Sequence, residues 1–349
     1  MSDTKPGFAR FVGVDIAYLD FTAATLLADA KPKLEAKPFS QTREGFTQFI
    51  ERLLETGIAA SSQLVVMEAT GSYWIAPAIA LHEAGFIVSV VNPAQAHYFA
   101  KAQLKRAKTD ALDAQTLAQL AQALELPHWT PPPQSYHELR QRLTQRDNLV
   151  KLRNQVENQL QALSVNPVII ASVQAQLQEL SITLSSQLKA MDKEIKEVLE
   201  ADTSWNKSIA LLQTIPGLGI LTACWLVVAT LNFTVCDSPE ALVRYVGLAP
   251  IERSSGSSIR GHPQIGHSGH SRLRTLLYLG TLTSVRFNPA IKAFWQRLRL
   301  EKNKPMKVAR CACARKMVHI AFAVVKSGKA FEADYQPKPK AKEVQAVAV

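Results

Sequence analysis

The chain has 349 residues, 47% of them hydrophobic, which is enough for two ordinary cores and too much for one small module. Its four cysteines show no zinc-like spacing, its N-terminus lacks the order of an export signal, and its longest apolar stretch, Ile220 to Leu231, falls far short of the ~20 residues that span a bilayer, so a reduced cytosol and no membrane are expected. The net charge of +11 is unevenly spread: Arg244 to Lys329 holds seventeen Lys and Arg against Glu252 and Glu301, a net +15 that leaves −4 for the rest.

In chain order, Phe11 to Ala17 is an apolar run interrupted by Asp15, and a second run from Asp20 to Leu27 follows. The pair predicts a hairpin of buried strands. Phe46, Phe49, Ile50, Leu53 and Leu54 give Arg43 to Thr56 a helical period that stops at Gly57. Gln63 to Glu68 predicts a strand, Trp74 to Ala84 a helix ended by Gly85, and Phe86 to Val91 a strand closed by Asn92-Pro93. Alternating strands and helices predict an α/β layer with a mixed sheet. A polar helix over Thr109 to Leu124 precedes Pro131-Pro-Pro133, which closes a first domain at residues 1–130.

Residues 131–204 form a predicted connector. Apolar residues recur at 3-4 spacing from Leu139 to Leu163 and again from Leu177 to Val198, turning at Asn166-Pro167. This pattern predicts a helical hairpin or coiled coil, whose seam fits a dimer or an intramolecular pair equally. A third domain, 205–332, opens with Thr214-Ile-Pro-Gly-Leu-Gly. Gly217 and Gly219 fit either a helix-hairpin-helix loop that brings amides to a phosphate or a plain turn before a buried helix. Tyr245 to Pro250 reads as strand-like and leads into a polar loop, Glu252 to His262. Residues 333–349 read as a disordered tail.

Carboxylates mark the first domain. Asp15 inside a buried strand and Glu68 at the end of another are costly unless paired or bound to a cation. Lys108-Thr-Asp-Ala-Leu-Asp then sets Asp110 and Asp113 on one helical face, where like charges repel unless a metal lies between them. Taken singly, Asp15 also fits a turn cap, Glu68 a loop edge and Asp110 a helix start favoured by the dipole. The order strand Asp, strand Glu, helix Asp-x-x-Asp supplies hard oxygen ligands for Mg²⁺ or Mn²⁺, as phosphoryl transfer through two metals needs. The basic segment is the footprint of a polyanion, or else a solvated face. Arg272-Leu-Arg274 and Arg297-Leu-Arg299 read as phosphate-tracking helices, with Phe294 and Trp295 in the core.

Gly13-Val-Asp-Ile-Ala, Glu68-Ala-Thr-Gly-Ser-Tyr, Val91-Asn-Pro and Lys108-Thr-Asp-Ala-Leu-Asp-Ala resemble the DEDD transposases of the insertion sequence 110 family. The resemblance continues through Ile215-Pro-Gly-Leu-Gly, Tyr245-Val-Gly-Leu-Ala-Pro, Ser254-Ser-Gly and Arg272-Leu-Arg-Thr-Leu-Leu-Tyr. It implies an α/β RNase H-like (RuvC-like) N-terminal domain, a coiled-coil connector and a mainly α-helical C-terminal transposase domain. It also implies that Asp15, Glu68, Asp110 and Asp113 are the catalytic metal ligands and that Ser255, the serine before glycine, is the nucleophile that joins DNA. Ser254 is adjacent and stays open as its substitute. A serine attacking phosphorus needs a small neighbour, here Gly256, and cations for developing charge, for which Arg253, Arg260, Arg272 and Arg274 are candidates. His262, His267 and His270 have no zinc spacing and fit phosphate contact, solvent exposure or proton shuttling to the serine. Family members often carry Gly-Asn where this chain has Gly269-His270.

The implied activity is transposition: strand cleavage and rejoining through a serine–DNA intermediate, guided by a structured RNA, in a homo-oligomer of two or four chains. The main alternative is a Holliday-junction-type nuclease in which water attacks. A nucleic-acid binder with a decayed site is a third reading. A sugar-kinase-like ATPase is a fourth, but the chain has no second Gly-rich phosphate loop.

Overall fold

The computed structural model of the chain describes residues 7–28, 36–104, 107, 109–255, 259–266 and 268–333. They fall into two compact units, 1–131 and 132–349. Beyond residue 333, the expected tail lies outside the described residues.

The first unit is built on a mixed sheet of β1 (Arg10–Ile16), β2 (Asp20–Leu27), β3 (Ala36–Ser40), β4 (Gln63–Glu68) and β5 (Ile87–Val91) in the order β3-β2-β1-β4-β5. Antiparallel pairing joins β1 to β2 and β2 to β3, and parallel pairing joins β1 to β4 and β4 to β5. The sequence pattern does not show β3, a short edge strand. Its Pro38 is tolerated there because an edge strand has no neighbour on one side to receive a hydrogen bond.

Four helices cover the sheet: α1 (Arg43–Leu54), α2 (Ile75–Glu83), α3 (Pro93–Ala102) and α4 (Asp110–Ala123). Asn92-Pro93, read from sequence as the end of a strand, also starts α3, with the Asn92 side chain accepting the Ala94 amide at 2.9 Å. Alternation along the strands sorts the two faces. Val12, Val14, Val65 and Met67 pack with Phe49, Leu53, Ala78 and Leu81, while Leu64 and Val66 pack with Leu117, Leu120 and Ala121 of α4. Asp15 and Glu68 are in phase with Gly13 and Val66, so both end on the face that α4 covers.

The second unit is helical. α5 (Gln134–Ser164) and α6 (Ala171–Ala201) form a hairpin that turns through Asn166-Pro167, tied by Arg146–Asp192 at 2.5 Å and Arg142–Glu194 at 3.2 Å. At its base Leu139, Leu143, Ile195 and Leu199 join one large core with α7 (Thr203–Gln213), α8 (Ile220–Ala229), α9 (Pro239–Val246), α10 (Ser271–Phe287), α11 (Pro289–Gln296) and α12 (Met306–Ser327). Farther out, Leu149, Val156, Leu184 and Leu188 form a narrow seam of their own.

Two local expectations change. The run from Tyr245 is no strand at first: Ser238 caps α9 by accepting the Ala241 amide at 3.1 Å, Pro239 sits in its first turn, and Gly247 at φ 81° ends it. The Ser-Pro start and Gly stop outweigh the β-branched residues between them. The polar loop is mostly a strand pair, β6 (Pro250–Ser255) with β7 (Ile259–Ile265). The Pro216-Gly217 turn is docked on α10, where Ser284 Oγ donates to Pro216 O at 2.8 Å. A Cβ on Gly217, at φ 104°, would overlap Ser284 Oγ and lie 2.7 Å from Gly280 O, so close packing accounts for this glycine.

Candidate active site

Register and close packing gather the four carboxylates. Val14 pairs with Met67, so the next residues, Asp15 and Glu68, occupy the carboxyl ends of neighbouring parallel strands. Above them α4 lies directly on β1, because position 13 has no side chain. A Cβ on Gly13 would overlap the Ala114 carbonyl and the Ala118 amide and stand 2.8 Å from Leu117 Cβ. Just N-terminal to that crossing come Asp113 and Asp110, in the first turn of a helix whose Thr109 cap accepts the Leu112 amide at 3.3 Å.

Electrostatics ties the cluster together. Burial, and then the charges of Asp113, Asp110 and Glu68 in that order, push the Asp15 carboxyl up to about 6, opposed by a hydrogen bond from the Ile16 amide. The structure therefore brings together all four carboxylates predicted from sequence. Among the described residues no three Asp, Glu, His or Cys side chains already stand at metal-ligand spacing. Asp113, Asp110 and Glu68 nonetheless all act on Asp15 across the strand ends and the helix start, where a cation would be held. The donor set fits Mg²⁺ or Mn²⁺: it is all carboxylate oxygen, and a divalent ion relieves the like-charge repulsion. One supporting residue went unread in the sequence. Thr70 Oγ1 donates to Glu68 Oε1 at 2.5 Å and fixes that carboxylate, and its only signal was the spacing in Glu68-Ala-Thr.

Residues of the second unit are placed unevenly. Ser255 ends β6 opposite Ile259, but its side chain and those of Ser254, Arg253, Arg260 and His262 lie outside the described residues, as do Gly256 and His267. Arg272 and Arg274 are occupied within the fold. Arg272 pairs with the buried Asp147 of α5, while Arg274 Nη1 donates to Ser268 O at 2.7 Å and Val246 O at 3.3 Å. His270 caps α10, its Nδ1 accepting the Leu273 amide at 3.3 Å and its own amide donating to Tyr245 O at 3.0 Å. Phe294 packs against the core, with the cations of Arg297 and Lys316 at 5.3 Å and 4.9 Å from its ring centre. Thiol chemistry is disfavoured: all four cysteines are free, and burial pushes Cys224 to about 12 and Cys313 to about 11. Among the described residues no helix is long and apolar enough to cross a membrane.

Comparison with known proteins places the chain. A family model described as "Transposase" matches residues 12–164, and one described as "Transposase IS116/IS110/IS902 family" matches residues 209–296. A pilin gene-inverting protein of Moraxella bovis is 30% identical over 327 residues, covering 92% of this chain and 97% of that protein. The transposase for insertion sequence element IS1111A of Coxiella burnetii is 25% identical over 312 residues, covering 80% and 83%. Among solved structures, T. thermophilus RuvC in complex with Holliday junction substrate aligns at 13% identity and a TM-score of 0.27, covering 34% of this chain and 99% of that one. With both family models and a full-length relative in agreement, the chain belongs to the IS110 family of transposases.

Proposed function

We propose that the chain is a site-specific DNA recombinase that cuts and rejoins strands by metal-dependent phosphoryl transfer, on an RNase H-like first unit, with Ser255 as the attacking group. The observation that carries this reading is the electrostatic cluster of Asp15, Glu68, Asp110 and Asp113 at the carboxyl ends of β1 and β4 and the start of α4. These four residues would hold Mg²⁺ or Mn²⁺, which when bound neutralises phosphate charge and favours attack at phosphorus. Thr70 keeps Glu68 oriented toward that site.

In the reaction the Ser255 hydroxyl attacks phosphorus, its proton passes to solvent, and the phosphodiester bond to the departing strand breaks, leaving a serine–phosphate ester and a free DNA hydroxyl. The hydroxyl of a new strand then attacks that ester and returns the serine. One ester bond is exchanged for another at each step, so no nucleotide hydrolysis is needed. The family resemblance supports selection of DNA partners by a structured RNA. Self-association through the α5–α6 hairpin has its own support, since Val165, Val168 and Ile170 at its tip are exposed together.

The test uses the full chain with DNA bearing its excision junctions. The parent forms a covalent protein–DNA adduct only when Mg²⁺ or Mn²⁺ is present. Asp15→Asn abolishes both adduct and cleavage, and Ser255→Ala abolishes both as well. Cleavage that survives in Ser255→Ala without an adduct assigns the attack to water, and a junction nuclease becomes the better reading.

A further inference from the structure

Two tyrosines stand in the turns that follow the strand carboxylates. Tyr18 lies three residues after Asp15, in the β1–β2 turn closed by the Ala17 amide donating to Asp20 O at 2.9 Å. Tyr73 lies five residues after Glu68, in the loop that leads to α2. Because β1 and β4 are parallel neighbours, both turns leave the sheet at the same strand ends as the carboxylates. The rings meet edge to face with centres 5.6 Å apart, and yet they are 69% and 45% exposed.

This exposure is held in place. Gln41 clamps both turns: its backbone amide donates to Leu19 O at 2.9 Å, and its side-chain Nε2 donates to Tyr73 O at 2.6 Å. A two-point clamp from one residue fixes the turns while leaving the rings open to solvent. Ordered, solvent-facing aromatic rings beside a phosphate-handling site are the components of a stacking platform for nucleobases. A scissile phosphate at the carboxylates carries a nucleoside within one residue of it on either side. A base that is unpaired there has an apolar face to cover, and a base inside a duplex does not.

We propose that Tyr18 and Tyr73 form a stacking site for an unpaired nucleobase adjoining the scissile phosphate. The site selects strands that are open or branched at the cleavage point over continuous duplex. It rests on the reading of the carboxylates as the phosphate site, and its test is arranged to be read apart from that one.

The probe is a single-stranded oligonucleotide carrying 5-iodouracil, irradiated with the full chain in EDTA so that no metal is involved, with adducts mapped by mass spectrometry. Adducts are expected on Tyr18 or Tyr73, and the same strand in a duplex is expected to give none there. Tyr18→Ala/Tyr73→Ala should lower the yield from the segment containing these positions at least about fivefold, while Tyr18→Phe/Tyr73→Phe should keep it, since the ring and not the hydroxyl stacks. Adducts confined to other segments, or an unchanged yield in the double alanine variant, overturn the proposal. It is likewise overturned, in favour of contact with a second copy of the chain, if the double alanine variant changes the sedimentation of the protein and neither tyrosine forms an adduct in the parent. Titration of parent and Asp15→Asn with Mn²⁺ reads the carboxylates separately. A parent that takes up no Mn²⁺ but forms the tyrosine adduct sinks the metal reading and supports the base contact.

Discussion

His270 joins the helix that follows β7 to its surroundings through one neutral nitrogen. Its Nδ1 accepts the Leu273 amide, Trp225 of α8 and Tyr245 of α9 pack on the ring at 5.7 Å and 6.4 Å, and the charges that face it are Arg140 of α5 and Arg274 of α10. Burial first, and then those two arginines, hold its pKa below the usual 6.5 against an opposing backbone hydrogen bond. A protonated Nδ1 cannot accept a hydrogen bond, and an imidazolium at a helix N-terminus opposes the helix dipole. The sign follows: a base whose folded pKa is depressed contributes stability that is present above 6.5 and lost as pH falls through the lower folded value. His270→Asn supplies an oxygen acceptor that does not titrate. Thermal unfolding should therefore show the parent losing Tm relative to His270→Asn as pH drops below 6.5, while His270→Ala costs about 1 kcal/mol at pH about 8. Parallel Tm curves for parent and His270→Asn would show that the cap does not depend on the imidazole. No metal or proton-shuttle role is needed, and spacing alone could not reveal a cap.

At the scale of elements, the crossing of α4 over β1 decides whether four separate acids become one site. Gly13 lets the helix backbone touch the strand, and Asp113 directly precedes Ala114, the residue whose carbonyl a new Cβ would strike. Gly13→Ala must push α4 away or tilt it. The expected cost is about 1–3 kcal/mol of stability, because the clash is with backbone that has no rotamer to yield. Its distinguishing effect is on Mn²⁺ affinity, which should fall in protein that remains folded, measured by titration beside circular dichroism. Unchanged Mn²⁺ binding in Gly13→Ala would mean that the crossing does not set the carboxylate geometry. The acids themselves were legible in the sequence, because a charge inside a strand of Val, Ile and Ala stands out, and so was the Asp-x-x-Asp spacing on one helical face. Gly13 was visible only as part of a motif, since its reason is a helix distant in sequence. The edge strand β3 and the helical identity of Tyr245-Val246 escaped for a related reason: Pro38 speaks against a strand until its edge position is known, and the cap at Ser238 outranks the residues after it.

At the scale of the whole chain, charge is segregated: residues 244–329 carry +15 and the remainder −4. Not all of that charge is equally available to phosphate. Arg272 is committed to Asp147, which is only 9% exposed, and Arg274 to two carbonyls, whereas Lys302, Lys304 and Lys307 are exposed. Two arginines named from sequence as phosphate contacts are thus held by the fold, and three lysines from the same basic segment face solvent. The distinction predicts two different kinds of loss. Lys302→Gln/Lys304→Gln/Lys307→Gln should leave Tm near the parent value and flatten the slope of log affinity for DNA against log salt by roughly 0.9 for each phosphate contact removed, because fewer counterions are released. Arg272→Gln should instead lower Tm, by the several degrees that leaving Asp147 buried without its cation brings, with little change in that slope. Binding titrations across a salt series together with thermal unfolding separate the two. If Arg272→Gln flattens the salt slope and keeps its Tm, then Arg272 exchanges Asp147 for phosphate, and the ion pair between α5 and α10 is a latch that nucleic acid opens.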